Sequence, residues 1–532
     1  MSIFKKLFQE SKLRHKKEIV KLFSLLGYKL NSYHSLAVKV NNLISSKQEN
    51  VIVYNQFVPS YMRHPIERLR VGYWRLEATD LKKIKSVISF DFFGDTKKYP
   101  YVEFYFPLDL SAEYPGLLEA LSDPQEMLEG HLNPSGRSIW VLPEKRNPVC
   151  LKIDTIQLNN RRFFSERVLL PRGVEHSIFA TDYLKHQIYN CSEDRGGNIF
   201  FNYNYSDGTP KRYTYLLREF DFKKLGICRN DFLIPVVAIL STEFWSNAEL
   251  LHNIEIKKSA TEFLAEDFAK CYADLIRNSL DKTFLHFEMH QQNLSLHMRN
   301  GNAVKIIYHD LQDSVFDPIT YFLKQCSENG FKNINQYYDF ILSFQKTSAL
   351  NVHGHLLLHD QVTREYFTVT SIYRRYLRNF GGYNKSLNYF INSIRNQGEY
   401  FLDRSFECQI LKYLAFEGQN LNLNEEVFNS KKDKGFLEND LFWSIHHYHA
   451  VLQKKLFDQF KHAILNSKQR VKEIDVSKLE SMLKTTVTIC STGFPTNISN
   501  IDFSAVTKVI DVFNERILLV TYENKDFLLI RR

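Results

Sequence analysis

The 532-residue sequence has no apolar run long enough to cross a bilayer. A membrane-spanning helix takes about 20 consecutive apolar residues. The best run here, Phe232-Leu-Ile-Pro-Val-Val-Ala-Ile-Leu240, is short and carries Pro235. No membrane span is expected. The N-terminal stretch MSIFKKLFQESKLRHKK is basic but lacks the apolar core and cleavage site of a secretory signal. Cysteine is scarce: seven residues, at 150, 191, 228, 271, 326, 408 and 490, are scattered and never form Cys-x-x-Cys. That usage argues against a structural zinc or a disulfide framework and fits a reducing, cytoplasmic setting. Internal repeats and low-complexity linkers are also missing.

What is there is ordinary for a soluble globular chain: 44% hydrophobic and 24% charged residues. The length exceeds one typical core, so two or three packed units are expected. The formal charge of +9 is spread along the sequence, with one modest cluster at Lys5, Lys6, Lys12, Arg14, Lys16 and Lys17. A nucleic-acid footprint needs a basic stripe on one face. The cluster reads instead as a solvated helix face, and no nucleic-acid partner is expected. Diffuse positive charge also attracts small polyanions such as ATP or a polycarboxylate.

Hydrophobic periodicity divides the chain into three. Residues 1–125 form an N-terminal α/β lobe, helical at first and then strand-forming at Ile84–Phe93 and Tyr101–Phe106. Residues 126–320 form a central region with strands at Ile139–Leu142 and Val149–Ile153 and a hairpin around Ser206-Asp-Gly-Thr209. Within it a helix over Ser259–Leu280 precedes a strand over Ala303–Tyr308. Residues 321–532 form a mostly helical lobe ending in short strands such as Ile517–Tyr522 and Phe527–Ile530. The fold class expected is α+β.

The most informative stretch is Leu285-His-Phe-Glu-Met-His-Gln-Gln-Asn-Leu-Ser-Leu296, followed by Val304-Lys-Ile-Ile-Tyr-His-Asp-Leu311. It packs Glu288, His290, Gln292 and Asn293 together and places Asp310 at the end of an apolar strand. Mg²⁺ takes oxygen ligands, combining one or two carboxylates with phosphate oxygens and water. A turn Asn and a strand-end Asp supply such a set, as in phosphoryl-transfer enzymes. Glu288, Asn293 and Asp310 are therefore the expected metal ligands, and the protein is expected to be an ATP-using enzyme. The bland reading of Asp310 is a turn or helix cap. His286, Glu288 and Asn293 also keep the His-x-Asp-x-x-x-x-Asn spacing of a kinase catalytic loop, with Glu in place of Asp. A kinase-like phosphotransferase or nucleotidyltransferase is the alternative. Lys152, mid-strand among apolar residues, is either a phosphate ligand or an exposed edge-strand lysine. Arg161 offers a planar fork for carboxylate or phosphate, and Arg218 ends an apolar strand.

Together these residues resemble the siderophore synthetases that act independently of nonribosomal peptide synthetases, the aerobactin-synthetase-like family. Glu288-Met-His-Gln-Gln-Asn293 matches that family's Glu-x-His-x-Gln-Asn turn, and His309-Asp-Leu-Gln-Asp313 resembles its Arg-Asp-x-x-Gly segment. Leu217-Arg-Glu219 resembles its Arg-Glu strand end, and Leu151-Lys-Ile153 through Arg161 resembles the strand leading to a nucleotide-binding arginine. The likeness covers roughly residues 149–318. It implies a multi-lobed synthetase with a central antiparallel-sheet palm, a kinase-like nucleotide site and a largely helical C-terminal lobe. It further implies that ATP and Mg²⁺ activate a carboxylate, citrate or a relative, as an acyl adenylate for attack by an amine or alcohol. Lys152, His290, Gln292, Asn293 and Asp310 would contact ATP or its metal, while Arg161, Arg218 and His290 would serve the chemistry. Homodimers are frequent in that family, so a homodimer is an expectation. The family's upstream His-Pro-x-His-x-x-Lys loop is not found, and His309 stands where its Arg is expected. A relative without synthetase activity that acts as a binding protein is the third reading.

Overall fold

The computed structural model describes residues 68–347 and 452–531, apart from 78–87, 95–99, 114–116, 133–137, 144–145, 154–168, 170, 185–189, 205–209, 229, 240–241, 246, 288–292, 465, 467–470, 486–487, 491–493 and 496–497. The basic N-terminal cluster lies outside the described residues.

The largest element is an eight-stranded antiparallel sheet. Its strands are β1 (Arg68–Leu76), β2 (Ile88–Gly94), β3 (Val102–Pro107), β4 (Glu126–Leu132), β5 (Ser138–Val141), β6 (Val149–Ile153), β7 (Ser192–Asn204) and β8 (Pro210–Glu219). They run in the order β2-β7-β8-β6-β5-β4-β1-β3. The expected boundary near residue 125 falls between β3 and β4, both of which pair with β1. The sheet curls until its β3 edge meets β8: the hydroxyls of Tyr213 and Tyr215 donate to the carbonyls of Tyr105 (3.2 Å) and Glu103 (3.3 Å). The concave face encloses Val71, Phe104, Ile139, Leu151, Tyr213 and Tyr215. Such runs of β-branched and aromatic residues suit a pleated surface packed on one side.

A second, three-stranded sheet of β9 (Phe232–Pro235), β11 (Leu294–Arg299) and β12 (Asn302–Tyr308) lies against the convex side, in the order β12-β11-β9. The two-residue β10 (Leu285–His286) pairs with β13 (Val315–Phe316). Asn300 and Gly301 join β11 to β12, both with positive φ (50° and 74°). Two consecutive left-handed residues make the turn whose twist matches the strands, which Asn-Gly adopts readily. A side chain at residue 301 would sit 2.0 Å from the Glu255 carbonyl, so glycine is required there. Between the two sheets Trp140, Cys150, Cys191 and Phe220 meet Leu233 and Ile307. Trp140 and Phe220 pack with their ring centres 4.7 Å apart and their planes tilted by 39°.

Helix α1 (Pro171–Tyr183) packs on β7 and on the loop after β12, and α2 (Ala269–Arg277) packs on β12. The expected helix over 259–280 is present, but widened π-helical turns flank α2 at Phe263–Phe268 and Asn278–Thr283. Beyond it, α3 (Pro318–Asn329), α4 (Ile334–Thr347) and a helical stretch over 452–464 extend the main core. Where short terminal strands were expected, a five-stranded sheet forms from β14 (Lys472–Glu473), β15 (Thr488–Cys490), β16 (Val506–Phe513), β17 (Ile517–Tyr522) and β18 (Lys525–Arg531), with α5 (Val476–Thr485) on one face. The run Ile517-Leu-Leu-Val520 is continuous because both faces are covered: Leu518 and Val520 face α5, while Ile517 joins the core under α3 and α4. Among the described residues no helix is long and apolar enough to cross a membrane, and Cys150, Cys191, Cys228, Cys271 and Cys326 are free thiols.

His176 ties α1 to the segment after β12, its Nε2 lying 3.1 Å from the Ser314 carbonyl and its ring edge-on to Phe344. Burial pushes the imidazole down to about 4, and the bond to Ser314 only partly opposes this. The unfolded chain therefore binds the extra proton between about pH 6.5 and 4, so stability is retained above that window and lost as pH falls through it. At about 1.4 kcal/mol per unit this single residue should account for roughly 3 kcal/mol of the loss. Urea unfolding of a His176→Gln variant, which keeps a donor and does not titrate, should lack that part of the pH dependence.

Candidate active site

At one margin of the inter-sheet interface the apolar row gives way to charge. From the large sheet come Lys152 of β6, Arg218 of β8 and Glu193 of β7; from the small sheet comes Asp310, just past β12. Lys152 Nζ lies 2.6 Å from Asp310 Oδ1 and donates to Gln312 Oε1 at 2.8 Å. Arg218 lies 2.8 Å by Nη2 from the same Asp310 oxygen and 2.7 Å by Nε from Glu193 Oε1. The two Arg218 contacts are at ion-pair distance without hydrogen-bond geometry, whereas Lys152 donates a hydrogen bond to Asp310. Nη1 of Arg218 reaches Ser138 Oγ at 3.4 Å. All four charged side chains are buried, and Glu193 is fully so. Burial opposes the charge on Arg218, but Asp310 and Glu193 outweigh it and hold the guanidinium's pKa well above its ordinary value.

The backbone positions these groups. Asn293 enters β11 opposite His309, whose N–H donates to the Asn293 carbonyl at 2.9 Å, so the hairpin brings the turn Asn beside Asp310. Asp310 itself is left-handed (φ 80°, ψ 61°). A non-glycine residue held in a sparsely populated conformation costs about 1–3 kcal/mol and persists only where its surroundings over-determine it. Here the Glu193 carboxylate accepts from the N–H groups of Asp310 (2.6 Å) and Leu311 (2.9 Å). The Tyr308 hydroxyl donates to the Asp310 carbonyl at 2.7 Å. The Glu193 N–H in turn donates to Thr181 Oγ1 of α1 at 3.0 Å.

Glu193 and Arg195 face opposite sides because β7 bulges against β8: Ser192 pairs with Glu219, but Arg195 pairs with Leu217. An extra residue in one strand re-aims side chains. Glu193 therefore turns to Arg218, while Arg195 turns inward to ion pairs with Glu103 and Glu219. Without the bulge, period-two alternation would place residues 193 and 195 on the same face.

Of the residues named from sequence, Lys152, Arg218, Asn293 and Asp310 converge. Arg161, Glu288, His290 and Gln292 lie outside the described residues. The edge-strand reading of Lys152 is corrected: β6 lies between β5 and β8, and Lys152 is 4% exposed. Sequence reasoning missed Glu193, Ser138 and Gln312. Gln312 stood next to the Asp310 motif and was within reach. Glu193 had no local signal, since a bulge is not written in hydrophobic alternation.

Among the described residues no three His, Cys, Asp or Glu side chains group into a metal cage. An all-protein site is not needed for Mg²⁺ that brings its own phosphate oxygens. The donor chemistry of Asp310 and Asn293 fits that use once an anion takes over Lys152 and Arg218, which otherwise compete with a metal for Asp310 Oδ1.

No family model and no curated protein matches the chain. Among solved structures it is similar to the petrobactin biosynthesis protein AsbB from Bacillus anthracis str. Sterne, at 12% identity and TM-score 0.40, covering 77% of this chain and 64% of that one. It is similar to ATP-bound aerobactin synthetase IucA from a hypervirulent pathotype of Klebsiella pneumoniae, at 14% identity and TM-score 0.34, covering 74% and 78%. It is also similar to aerobactin synthetase IucC from the same pathotype, at 8% identity and TM-score 0.37, covering 84% and 81%. The match thus spans less than two thirds of the length of AsbB. The likeness is distant, and the functional reading rests on the site residues.

Removing one partner of a buried ion pair leaves an uncompensated charge and typically costs about 3–5 kcal/mol. Arg218→Met should therefore lower the unfolding free energy by about that much, read from the urea midpoint at neutral pH.

Proposed function

We propose that this protein is an ATP-dependent ligase that joins a carboxylate, citrate or a related polycarboxylate, to an amine or alcohol in siderophore biosynthesis. The observation that carries the reading is the convergence of two buried cations, Lys152 and Arg218, on one strand-end carboxylate beside Asn293. A lysine point charge and an arginine fork together suit phosphate and carboxylate oxygens. An incoming polyanion would take over these cations from Asp310, and the Mg²⁺ it brings would then balance the Asp310 carboxylate.

In this reading a substrate carboxylate oxygen attacks the α-phosphorus of ATP, and pyrophosphate leaves. The amine or hydroxyl then attacks the acyl carbon, AMP leaves and the nucleophile loses its proton. Lys152 and Arg218 offset the negative charge that builds on the phosphorus and acyl oxygens, and Arg161 would join them. Preorganised charges in a dry site are worth far more than the same charges in water. His290 and Gln292 would contact the nucleotide, the kinase-like part of the site. Asn293, Asp310 and Glu288 would hold Mg²⁺, which supplies charge neutralisation on the phosphates.

Incubation with ATP, Mg²⁺, citrate and a panel of polyamines and amino alcohols should give AMP, pyrophosphate and an amide or ester found by mass. ADP as the product would replace this reading with a phosphotransferase, and no nucleotide turnover would leave a binding protein. Asp310→Asn should lower turnover by at least about a hundredfold, the scale of losing one oriented charge in a transition state.

A further inference from the structure

We infer that Glu193 is a positioning residue, which fixes the left-handed backbone of Asp310 and thereby aims the Asp310 carboxylate at Lys152 and Arg218. The inference rests on the ligase reading for its consequence but not for its geometry. Glu193 is fully buried, and its carboxylate faces the Asp310 and Leu311 amides and Arg218. Oε1 and Oε2 take the consecutive N–H groups of Asp310 and Leu311, and Oε1 also faces Arg218 Nε. Oε1 lies 3.9 Å from the Cys191 thiol, a weak contact. Two adjacent amides pointing at one carboxylate is an arrangement that a left-handed residue creates and an anion stabilises. Arg218, oriented by Glu193 on one side, meets Asp310 on the other. Following Ser192, which pairs with Glu219, Glu193 falls opposite Arg218, and the bulge after it sends Arg195 to the other face, away from this cluster.

An ordinary turn stabiliser would matter for folding and nothing else. A positioning residue makes a sharper demand: with the fold intact, the direction of the Asp310 side chain changes and the cations beside it lose their common partner. Glu193→Gln tests this, because one acceptor oxygen becomes an NH₂ that opposes an amide N–H and the charge facing Arg218 is removed.

Two measurements on the full chain separate the outcomes. Hydrogen exchange read by mass should accelerate about tenfold or more in the peptide carrying the Asp310 and Leu311 amides, with β17 and β18 unchanged. Calorimetric titration with ATP and Mg²⁺ should show a dissociation constant raised about tenfold at unchanged stoichiometry. Lowered stoichiometry at an unchanged constant would mean partial unfolding only and would overturn the assignment. So would wild-type exchange at residues 310 and 311. If the Gln variant does not fold, Glu193→Asp retains the charge one methylene short and is read by the same two criteria. A wild-type chain that does not bind ATP while the exchange effect holds would overturn the ligase reading and leave the positioning role standing.

Discussion

The architecture of the described residues around the site depends on one buried arrangement of charge: Lys152 and Arg218 on one sheet, Glu193 beside them, and Asp310 reaching across from the other. Two positive and two negative side chains cancel within it. Burying any one of them alone would cost several kcal/mol, and the mutual contacts offset this only when all are in place. The quartet therefore does more than fill space between the sheets. It sets where the end of β12 must stop relative to β6, β7 and β8, and it does so at the point where the apolar filling of Trp140, Phe220 and Ile307 runs out.

The same arrangement explains why a left-handed Asp is tolerated. Continuing β12 as a regular strand would send residue 310 to the apolar face already filled by Tyr308 and Ile306. The left-handed step turns its carboxylate away from that face. The cost is met locally, by the Glu193 oxygens on the two amides and by the Tyr308 hydroxyl on the carbonyl. A site built in this way is rigid before any ligand arrives, which is the condition under which charge stabilises a reacting group most strongly.

Much of this was legible in the sequence, and the limits have physical causes. The strand at 149–153 reads from its apolar character, and Lys152 stood out as a lone charge inside it, although the run alone left open whether it met an anion or solvent at a sheet edge. The hairpin joining Asn293 to Asp310 reads from Asn300-Gly301 and from the apolar residues on either side. Arg218 was found at a strand end for the same reason as Asp310. Glu193 was not found, because its role depends on a one-residue bulge and on a partner 117 positions away. The curl that brings β3 against β8 was equally hidden, since it follows from pairing order and not from any local pattern. The sheet of β14 to β18 exceeded the short strands expected because β17 is covered on both faces and so shows no alternation.

The bulge has a consequence of another kind. Between Glu193 and Arg195 stands a single residue, Asp194, and the surplus position it shares is what separates two charge systems, one outside the sheet and one within the curl. Pairing all of these residues regularly would send Arg195 to the face of Arg218, guanidinium beside guanidinium, whereas removing one residue would leave Glu193 opposite Arg218 and Arg195 opposite Leu217. The irregular step in the backbone, more than the side chain it carries, thus keeps two like charges on opposite sides of one sheet.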